Sequence, residues 1–193
     1  MSGSKIRLYG STSGYVELEA PAVSPDASLV LPSTFAGVGS NVVQAVKTDV
    51  FTTTSGTYVD ITGLSVTITP SSATSKILII GSLQYSASLI GDDSSVWRIT
   101  GGNADTFVGD AAGTRPRSVG SLGIFSTTFN SALMMLPGPV AYVDSPATAS
   151  PVTYKMQALT TGGQTMSVNR TGTDTDGLYG RGASSLIAIE VAA

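Results

Sequence analysis

Pairs of acidic residues are the side chains in this sequence whose spacing comes closest to that of a catalytic site. Asp92 and Asp93 are adjacent, and Asp174 and Asp176 are separated by one residue. A glycosidase needs two carboxyl groups about 5–9 Å apart around a sugar cleft. Both pairs lie in segments rich in Gly, Ser and Thr, where aspartate is expected to cap the backbone of a turn. The pairs therefore indicate turns more strongly than they indicate hydrolysis.

The side-chain inventory excludes most other catalytic systems. The sequence contains no histidine and no cysteine. This removes Ser-His-acid triads, Cys-His nucleophiles, and imidazole or thiolate metal ligands. An enzyme built from this chain would depend on carboxylates or lysines for proton transfer. We therefore expect no enzyme activity, no catalytic residue and no cofactor.

The segment Asp174-Thr175-Asp176-Gly177 is similar to the start of a Ca²⁺-binding loop. The complete pattern requires a Glu at the twelfth position of the loop. Ser185 occupies that position in this sequence. The sequence therefore favours an ordinary acidic turn, and we predict no metal site.

Aromatic and charged residues in two loops are candidates for ligand binding, for example to a glycan. The loops lie near residues 91–118 and 171–182. For an aromatic residue on an alternating strand, packing in the core or between subunits is the alternative. The candidate ligand residues are Asp92, Asp93, Trp97, Arg115, Arg117, Asp174, Asp176 and Tyr179.

The composition is unusual in its low content of charged residues. Hydrophobic residues make up 41% of the 193 residues, which is enough for a core, whereas charged residues make up only 12%. Soluble domains usually have about 25%. A surface made polar by hydroxyl groups fits extracellular or virion β-proteins better than cytosolic enzymes. The alternative is that β-proteins in general are rich in Gly, Ser and Thr because of strand and turn propensities.

The charge and the N-terminus exclude several kinds of partner. The formal net charge is −3 and the basic residues are scattered, so we expect no nucleic-acid partner. The N-terminal sequence MSGSKIRLYGS lacks the apolar region of a signal peptide. No segment approaches the ~20 apolar residues of a membrane span. A protein that works outside the cell without a signal peptide could be released by cell lysis, which would be compatible with a virion-type surface.

The clearest β pattern lies in residues 57–86. Aliphatic and hydroxylated residues alternate over 64–69, as a half-buried strand requires. Pro70 ends this strand because it cannot donate to a neighbouring strand. The next strand is predicted over 76–85. Its run Ile77–Ile80 suits burial on both faces, in the middle of a sandwich or against another subunit.

The remaining pattern predicts an all-β fold. Residues 41–51 are ambiguous between helix and strand, and their β-branched content favours a strand. We predict a break at Pro137-Gly138-Pro139 and a hairpin loop at Thr161–Thr165. About eight to ten strands predict an antiparallel β-sandwich or jelly roll. Besides those above, strands are predicted over 96–99, 142–146, 152–159, 166–170 and 185–191, with one or two more in 124–136.

Residues 1–34 form an arm with a pattern of their own, before a hinge at 35–40 and a main domain over 41–193. The pattern predicts a hairpin with a five-residue loop and then a third short strand. These strands have too few apolar residues for a core and need the main domain, sister subunits or a scaffold. The alternative is that they form the first sheet of a single domain. The predicted docking residues of the arm are Ile6, Leu8, Val16, Leu18, Leu29 and Leu31.

Several segments resemble bacteriophage proteins. The arm, KIRLYGSTSGYVELEAPAVSPDASLVLPS, resembles an N-terminal segment of phage fibre and virion-surface proteins in its YV-L-AP strand and its strand ending in LP. The segments YVDITGLSVTITPSSATSKILIIGSLQYS, YVDSPATASPVTYK and SSLIAIEVA resemble a domain of marine and cyanobacterial phage proteins. That domain is similar to the tumour-necrosis-factor-like trimeric jelly roll. Together the resemblances cover most of the chain, and they bring no catalytic residues.

The resemblance implies a homotrimer on the surface of a virion, assembled in the host cytoplasm. We expect a capsid decoration (cement) protein or a short fibre, with other virion proteins such as the major capsid protein or a tail component as partners. The alternatives are a receptor-binding tail-fibre tip that binds host-surface glycans and, third, a carbohydrate-active enzyme. The predicted trimer seam consists of Ile77, Ile79, Leu186, Ile187 and Ile189.

Overall fold

The protein is all-β and separates into two compact units, Met1–Phe35 and Ala36–Ala193. The computed structural model describes the following residues, the first two ranges as backbone only: 5–9, 15–19, 41–88, 93–103, 107–123 and 131–191.

The first unit contains an antiparallel hairpin of β1 (Lys5–Tyr9) and β2 (Tyr15–Glu19). In its register, Ile6 lies opposite Leu18 and Leu8 lies opposite Val16. The predicted hairpin is therefore confirmed. The predicted third strand, with Leu29 and Leu31, lies outside the described residues.

The second unit is an antiparallel β-sandwich, as the turn-punctuated strand pattern predicts. Its strands are β3 (Val42–Lys47), β4 (Phe51–Thr53), β5 (Val59–Ile68), β6 (Lys76–Ser88), β7 (Ser94–Thr100), β8 (Gly120–Gly123), β9 (Leu136–Asp144), β10 (Val152–Thr160), β11 (Thr165–Val168) and β12 (Ser184–Val191). One sheet has the order β5-β10-β7-β8. The other has the order β3-β12-β6-β11-β4, with β9 paired to β6. The helical elements of the described residues amount to one 3₁₀ turn, Ser131–Leu133.

Consecutive strands often lie in different sheets instead of forming hairpins. This is true of β5 and β6 and of β10 and β11. The hairpin predicted around Thr161–Thr165 is therefore wrong, and this loop connects the two layers. The physical reason is that both edges of β10 are already occupied, by β5 and by β7. The chain can continue only into the other sheet.

The predicted break at Pro137-Gly138-Pro139 is also wrong, because β9 runs through it. Pro137 lies opposite Gln84 of β6, and Pro139 lies opposite Ser82. Within the described residues β9 pairs with β6 alone. A proline is tolerated on such an edge strand when its nitrogen faces away from the neighbouring strand.

The core between the sheets is centred on aromatic and aliphatic side chains. Trp97 of β7 is buried, with only 1% of its surface exposed. Glycines face its indole ring: a Cβ added at Gly138 would lie 2.7 Å from Trp97 Cζ2. The absence of a side chain at residue 138 therefore allows β9 to lie directly against the indole.

A buried carboxylate ties the start of β3 and the β5–β6 turn to β12. Glu190 Oε1 accepts hydrogen bonds from Ser71 N (2.7 Å) and Ser71 Oγ (2.5 Å), and Oε2 accepts one from Asn41 Nδ2 (3.1 Å). Burial opposes ionisation of Glu190, but these hydrogen bonds outweigh it and lower its pKa to about 2.

We expect Glu190→Gln to lower the free energy of unfolding at pH 7 by about 1–3 kcal/mol, because it removes hydrogen bonds to a charged acceptor. The pKa of the folded state lies below the ordinary value of 4.5. The stabilisation is therefore complete above pH 4.5 and is lost as the pH falls towards 2. Urea unfolding of both proteins between pH 2 and 7 measures this. The difference between wild type and variant should shrink in that window, and a constant difference would contradict the role of ionisation. Asp110→Asn, at an exposed loop position, is the control for the change in net charge.

Candidate functional site

The outer face of the four-stranded sheet is polar and charged. Asp60 on β5 accepts hydrogen bonds from Lys155 Nζ (2.8 Å) and Gln157 Nε2 (2.7 Å), both on β10. Arg98 on β7 donates from Nε to Gln157 Oε1 at 2.9 Å. The hydrogen bonds from Lys155 and then Gln157 lower the pKa of Asp60. This network is typical of a sheet face in contact with water.

The outer face of the other sheet is apolar across four neighbouring strands. The strand register aligns Val42 (β3), Ile189 (β12), Leu78 (β6) and Val143 (β9) in one row. The next row contains Gln44, Ile187, Ile80 and Ala141. We call these two rows, together with Val46, Pro139 and Val191, the apolar face.

Several side chains of the apolar face are well exposed. The exposed fraction is 50% for Val42, 55% for Val143 and 38% for Ile80. None of the positions defined above carries a charge, and Lys76, opposite Val191, lies at the margin. The polar side chains among these positions and the residues that link them are Gln44, Ser82 and Ser185. A largely aliphatic, uncharged surface of this kind is typical of a protein–protein contact, whereas isolated apolar residues need no such explanation.

The structure divides the predicted trimer seam between two faces. Ile77, Ile79 and Leu186 lie in the core between the sheets with none of their surface exposed. They cannot contact another subunit in this fold, which corrects the prediction for these three residues. Ile187 and Ile189 lie on the apolar face and are partly exposed.

The sequence prediction missed other members of the apolar face, including Leu78, Ile80 and Val143. The alternation of β-strands was the available signal, since side chains two residues apart share a face. A run of four aliphatic residues fills both faces equally, so the pattern does not indicate which face is turned to the core. Val42 and Val143 become neighbours of this strand only through the register of the sheet.

The structure places the predicted ligand residues in different environments. Trp97 is buried in the core, so its prediction as a ligand residue is wrong: its strand is covered by the opposite sheet. Asp92 lies outside the described residues. Asp93 Oδ1 lies 3.4 Å from Thr161 Oγ1. Arg115 and Arg117 bond to carbonyl oxygens of their own loop, at Ala112 (3.3 Å) and Gly109 (2.7 Å).

Asp174 and Asp176, the acidic pair of the second loop, form ion pairs and hydrogen bonds with residues close to them in the chain. Asp174 Oδ2 lies 2.8 Å from Arg181 Nη2 and 3.4 Å from Arg170 Nη1. Asp176 Oδ1 accepts a hydrogen bond from Gly177 N (3.1 Å), and Tyr179 is half-buried. The described residues contain no group of three or more Asp, Glu, His or Cys side chains placed to hold a metal ion. Asp176 lies in a turn in which Leu178 N donates a hydrogen bond to Thr175 O (3.4 Å).

A second buried carboxylate, which the sequence did not reveal, holds the end of β9. Asp144 accepts hydrogen bonds from Tyr154 Oη (2.6 Å) and from Asn103 N (3.2 Å). Burial, and then the hydrogen bond to Asp144, raise the pKa of Tyr154. The neighbouring Tyr142 stacks on Phe107, with ring centroids 4.4 Å apart. These contacts join β9 to β10 and to the segment that follows β7.

The arm residues Ile6, Leu8, Val16 and Leu18 lie in the hairpin, for which the backbone alone is described, and Leu29 and Leu31 lie outside the described residues. Among the described residues, no helix is long and apolar enough to cross a membrane.

Comparisons with known proteins assign no family to the chain. No protein-family model and no curated protein matches it. Among solved structures it is similar to a mutant VP2 protein of infectious bursal disease virus in derived T=1 particles, with 16% identity and a TM-score of 0.36 over 95% of this chain and 44% of that one. A second structure of derived T=1 particles gives 17% identity, a TM-score of 0.36 and coverages of 96% and 44%. The Gx strain of the virus gives 19% identity, a TM-score of 0.36 and coverages of 95% and 46%. The chain thus spans less than half the length of these proteins.

Proposed function

We propose that this chain is a non-enzymatic structural protein of a bacteriophage virion. In this proposal it is a homotrimeric capsid decoration (cement) protein or a short fibre on the particle surface, anchored by its N-terminal arm. The observation that carries the proposal is the apolar face, because it gives the second unit a surface suited to contact with other protein subunits. The resemblance of the arm and of the main domain to phage virion-surface proteins supports the same conclusion.

The apolar face suits contact between identical copies. Ile187 and Ile189 lie at its centre, flanked by Leu78 and Ile80 on β6. Because none of these positions is charged, bringing copies together incurs no repulsion between like charges. Burying the exposed half of a Val or Ile side chain contributes about 1 kcal/mol, and the face offers several such side chains. The polar face of the other sheet then remains in water.

The proposed assembly is tested by native mass spectrometry of the full chain. A homotrimer has three times the 19.6 kDa mass of the chain, and a monomer at micromolar concentration would contradict it. Microscopy of particles carrying a labelled copy tests the location. Label on the capsid shell supports a decoration protein, whereas label at the tail tip favours the second candidate.

The second candidate is a receptor-binding tail-fibre tip that binds host-surface glycans. The observation that favours it is the exposed loop over residues 171–182. Leu178 in this loop is 73% exposed, and Asp174 forms ion pairs with Arg170 and Arg181. Binding of the full chain to glycans of the host envelope would favour this function over decoration.

We expect deletion of residues 1–34 to leave a folded homotrimer that no longer attaches to its particle. The reason is that the second unit contains the complete sandwich and the apolar face, whereas the arm contributes one short hairpin in the described residues. Light scattering measures the mass, and co-sedimentation with particles that lack the protein measures attachment. A monomeric or aggregated product would place the arm in the core, and retained attachment would contradict its anchoring role.

A further inference from the structure

We propose that the free edge of β9 is a second interaction site, which accepts an extended, uncharged segment of another polypeptide as an added strand. This site adjoins the apolar face and shares Pro139, Ala141 and Val143 with it, but it uses the backbone edge of β9 instead of the exposed side chains of that face. It combines two features of the described residues: an edge of β9 with which no described strand pairs, and a cavity beside it between β9 and the segment that precedes β8.

The hydrogen bonds of β6 show which backbone groups of β9 face outward. Gln84 N donates to Ser184 Oγ (2.9 Å), and Gln84 O accepts from Asn169 N (2.8 Å). Both groups of Gln84 thus point away from β9, where Pro137 is its partner in the register. In an antiparallel ladder, both residues of such a pair direct N–H and C=O away from each other. Pro137 therefore directs its backbone to the free edge, where the N–H that proline lacks is not needed for a hydrogen bond to β6.

The same orientation recurs at every second residue of β9. Pro139, Ala141 and Val143 follow Pro137 in this alternation, opposite Ser82, Ile80 and Leu78 of β6. The two prolines present only C=O groups, which protects that part of the edge from strand addition. Ala141 and Val143 present both N–H and C=O, and their side chains are exposed. The part of the edge that can pair with an added strand therefore consists of Ala141 and Val143.

A cavity of about 390 Å³ lies beside this edge. Its volume is in the range of pockets that hold ligands or partner side chains, about 300–1,000 Å³. Phe107, which lines it, is stacked on Tyr142 of β9 and is partly exposed. The lining residues are Phe107, Val108, Gly109, Ser118, Val119, Pro139, Val140 and Ala141.

The cavity lies between β9 of one sheet and the segment that precedes β8 of the other. On the opposite side, Asn41 just before β3 donates a hydrogen bond to Thr69 O just after β5 (2.7 Å), which joins the two sheets. On the β9 side, the segment that precedes β8 faces Val140 and Ala141 across the cavity. An added strand would pair with β9 and extend the six-stranded sheet by one strand.

The lining determines the chemistry of the partner. Among the described residues, the lining contains no charged side chain, so a charge on the incoming segment would lose its hydration without compensation from these residues. Unpaired N–H and C=O groups on β9 require an extended backbone with its own hydrogen-bonding groups. Alternate side chains of the partner would enter the cavity and should be aliphatic, while the others would extend the apolar face beyond Ala141 and Val143.

Ala141→Pro tests this site in the full-length protein, because it continues the existing pattern of Pro137 and Pro139. It removes the N–H group at the free edge and leaves the pairing with β6 intact. The probe is a synthetic peptide with the sequence of residues 62–70, TGLSVTITP, which is uncharged and has alternating aliphatic residues. Titration followed by the fluorescence of Trp97, the single tryptophan of the chain, measures binding.

We expect the wild type to bind the peptide and Ala141→Pro to weaken binding at least tenfold. Ala141→Thr, which also changes the side chain but keeps the N–H group, is the matched variant and should bind the peptide more tightly than Ala141→Pro. A peptide with Val66→Lys and Ile68→Lys should not bind. Equal binding by wild type and Ala141→Pro would overturn the proposal, and so would absence of binding to the wild type. If circular dichroism shows that Ala141→Pro is unfolded, Val143→Pro and Phe107→Asp replace it under the same criteria.

Discussion

A carboxylate at Ile80 is expected to dissociate the assembly and leave the domain folded, whereas a carboxylate at the adjacent Ile79 is expected to prevent folding. Ile79 has none of its surface exposed, and Ile80 is 38% exposed on the apolar face. Ile79→Asp removes a buried aliphatic side chain, which costs about 2–5 kcal/mol, and adds the cost of burying a charge. This consumes most of a typical domain stability of about 5–15 kcal/mol. Ile80→Asp costs the isolated subunit about 1 kcal/mol or less.

Circular dichroism and native mass spectrometry of the two variants measure folding and assembly separately. Ser65→Asp, on the polar face of the opposite sheet, is the control and should change neither. An intact oligomer of Ile80→Asp would refute the apolar face as the contact surface. A folded Ile79→Asp protein would contradict the placement of that side chain in the core.

Trp97→Ala is expected to lower the free energy of unfolding by about 3–5 kcal/mol, because it leaves a cavity at the centre of the core. Gly138→Ala is expected to cost about 1–3 kcal/mol for the opposite reason. The added Cβ would lie 2.7 Å from Trp97 Cζ2, which forces β9 and β7 apart. Urea denaturation of each variant measures these differences.

The double variant provides the control for direct contact. When Trp97→Ala has removed the indole ring, the methyl group at residue 138 has space, so the combined loss should be smaller than the sum of the two. Gly56→Ala, at a glycine with open space around it and no positive φ, separates the steric effect from the general cost of replacing a glycine. Strict additivity at residues 97 and 138 would contradict the packing of β9 against the indole.

The strands themselves were largely predictable from the sequence. Alternation over 64–69 and the prolines and glycines that follow located β5 and β6, and the same kind of pattern located the two strands of the arm hairpin. These predictions succeed because local alternation and turn chemistry depend on residues close together in the chain.

The pairing of strands was not predictable in the same way. The loop after β10 has the composition of a hairpin loop, yet its flanking strands lie in different sheets because β10 already has two neighbours. Pro137 and Pro139 look like a break, yet they occupy an edge where no N–H is required. In each case the deciding factor is which edge of which sheet is free, and this depends on residues far away in the sequence.

The candidate site was likewise predictable in part from the local sequence and was otherwise decided by the tertiary structure. By itself, the sequence determined that Ile77–Ile80 forms a strand with two apolar faces and that the chain has few charges to cover them. Only the tertiary structure decided that Ile79 enters the core and Ile80 the apolar face, next to Ile187 and Ala141. A period of two creates two equivalent faces on any strand. The second sheet covers one of them, and the register of distant strands determines which residues share the face that remains exposed.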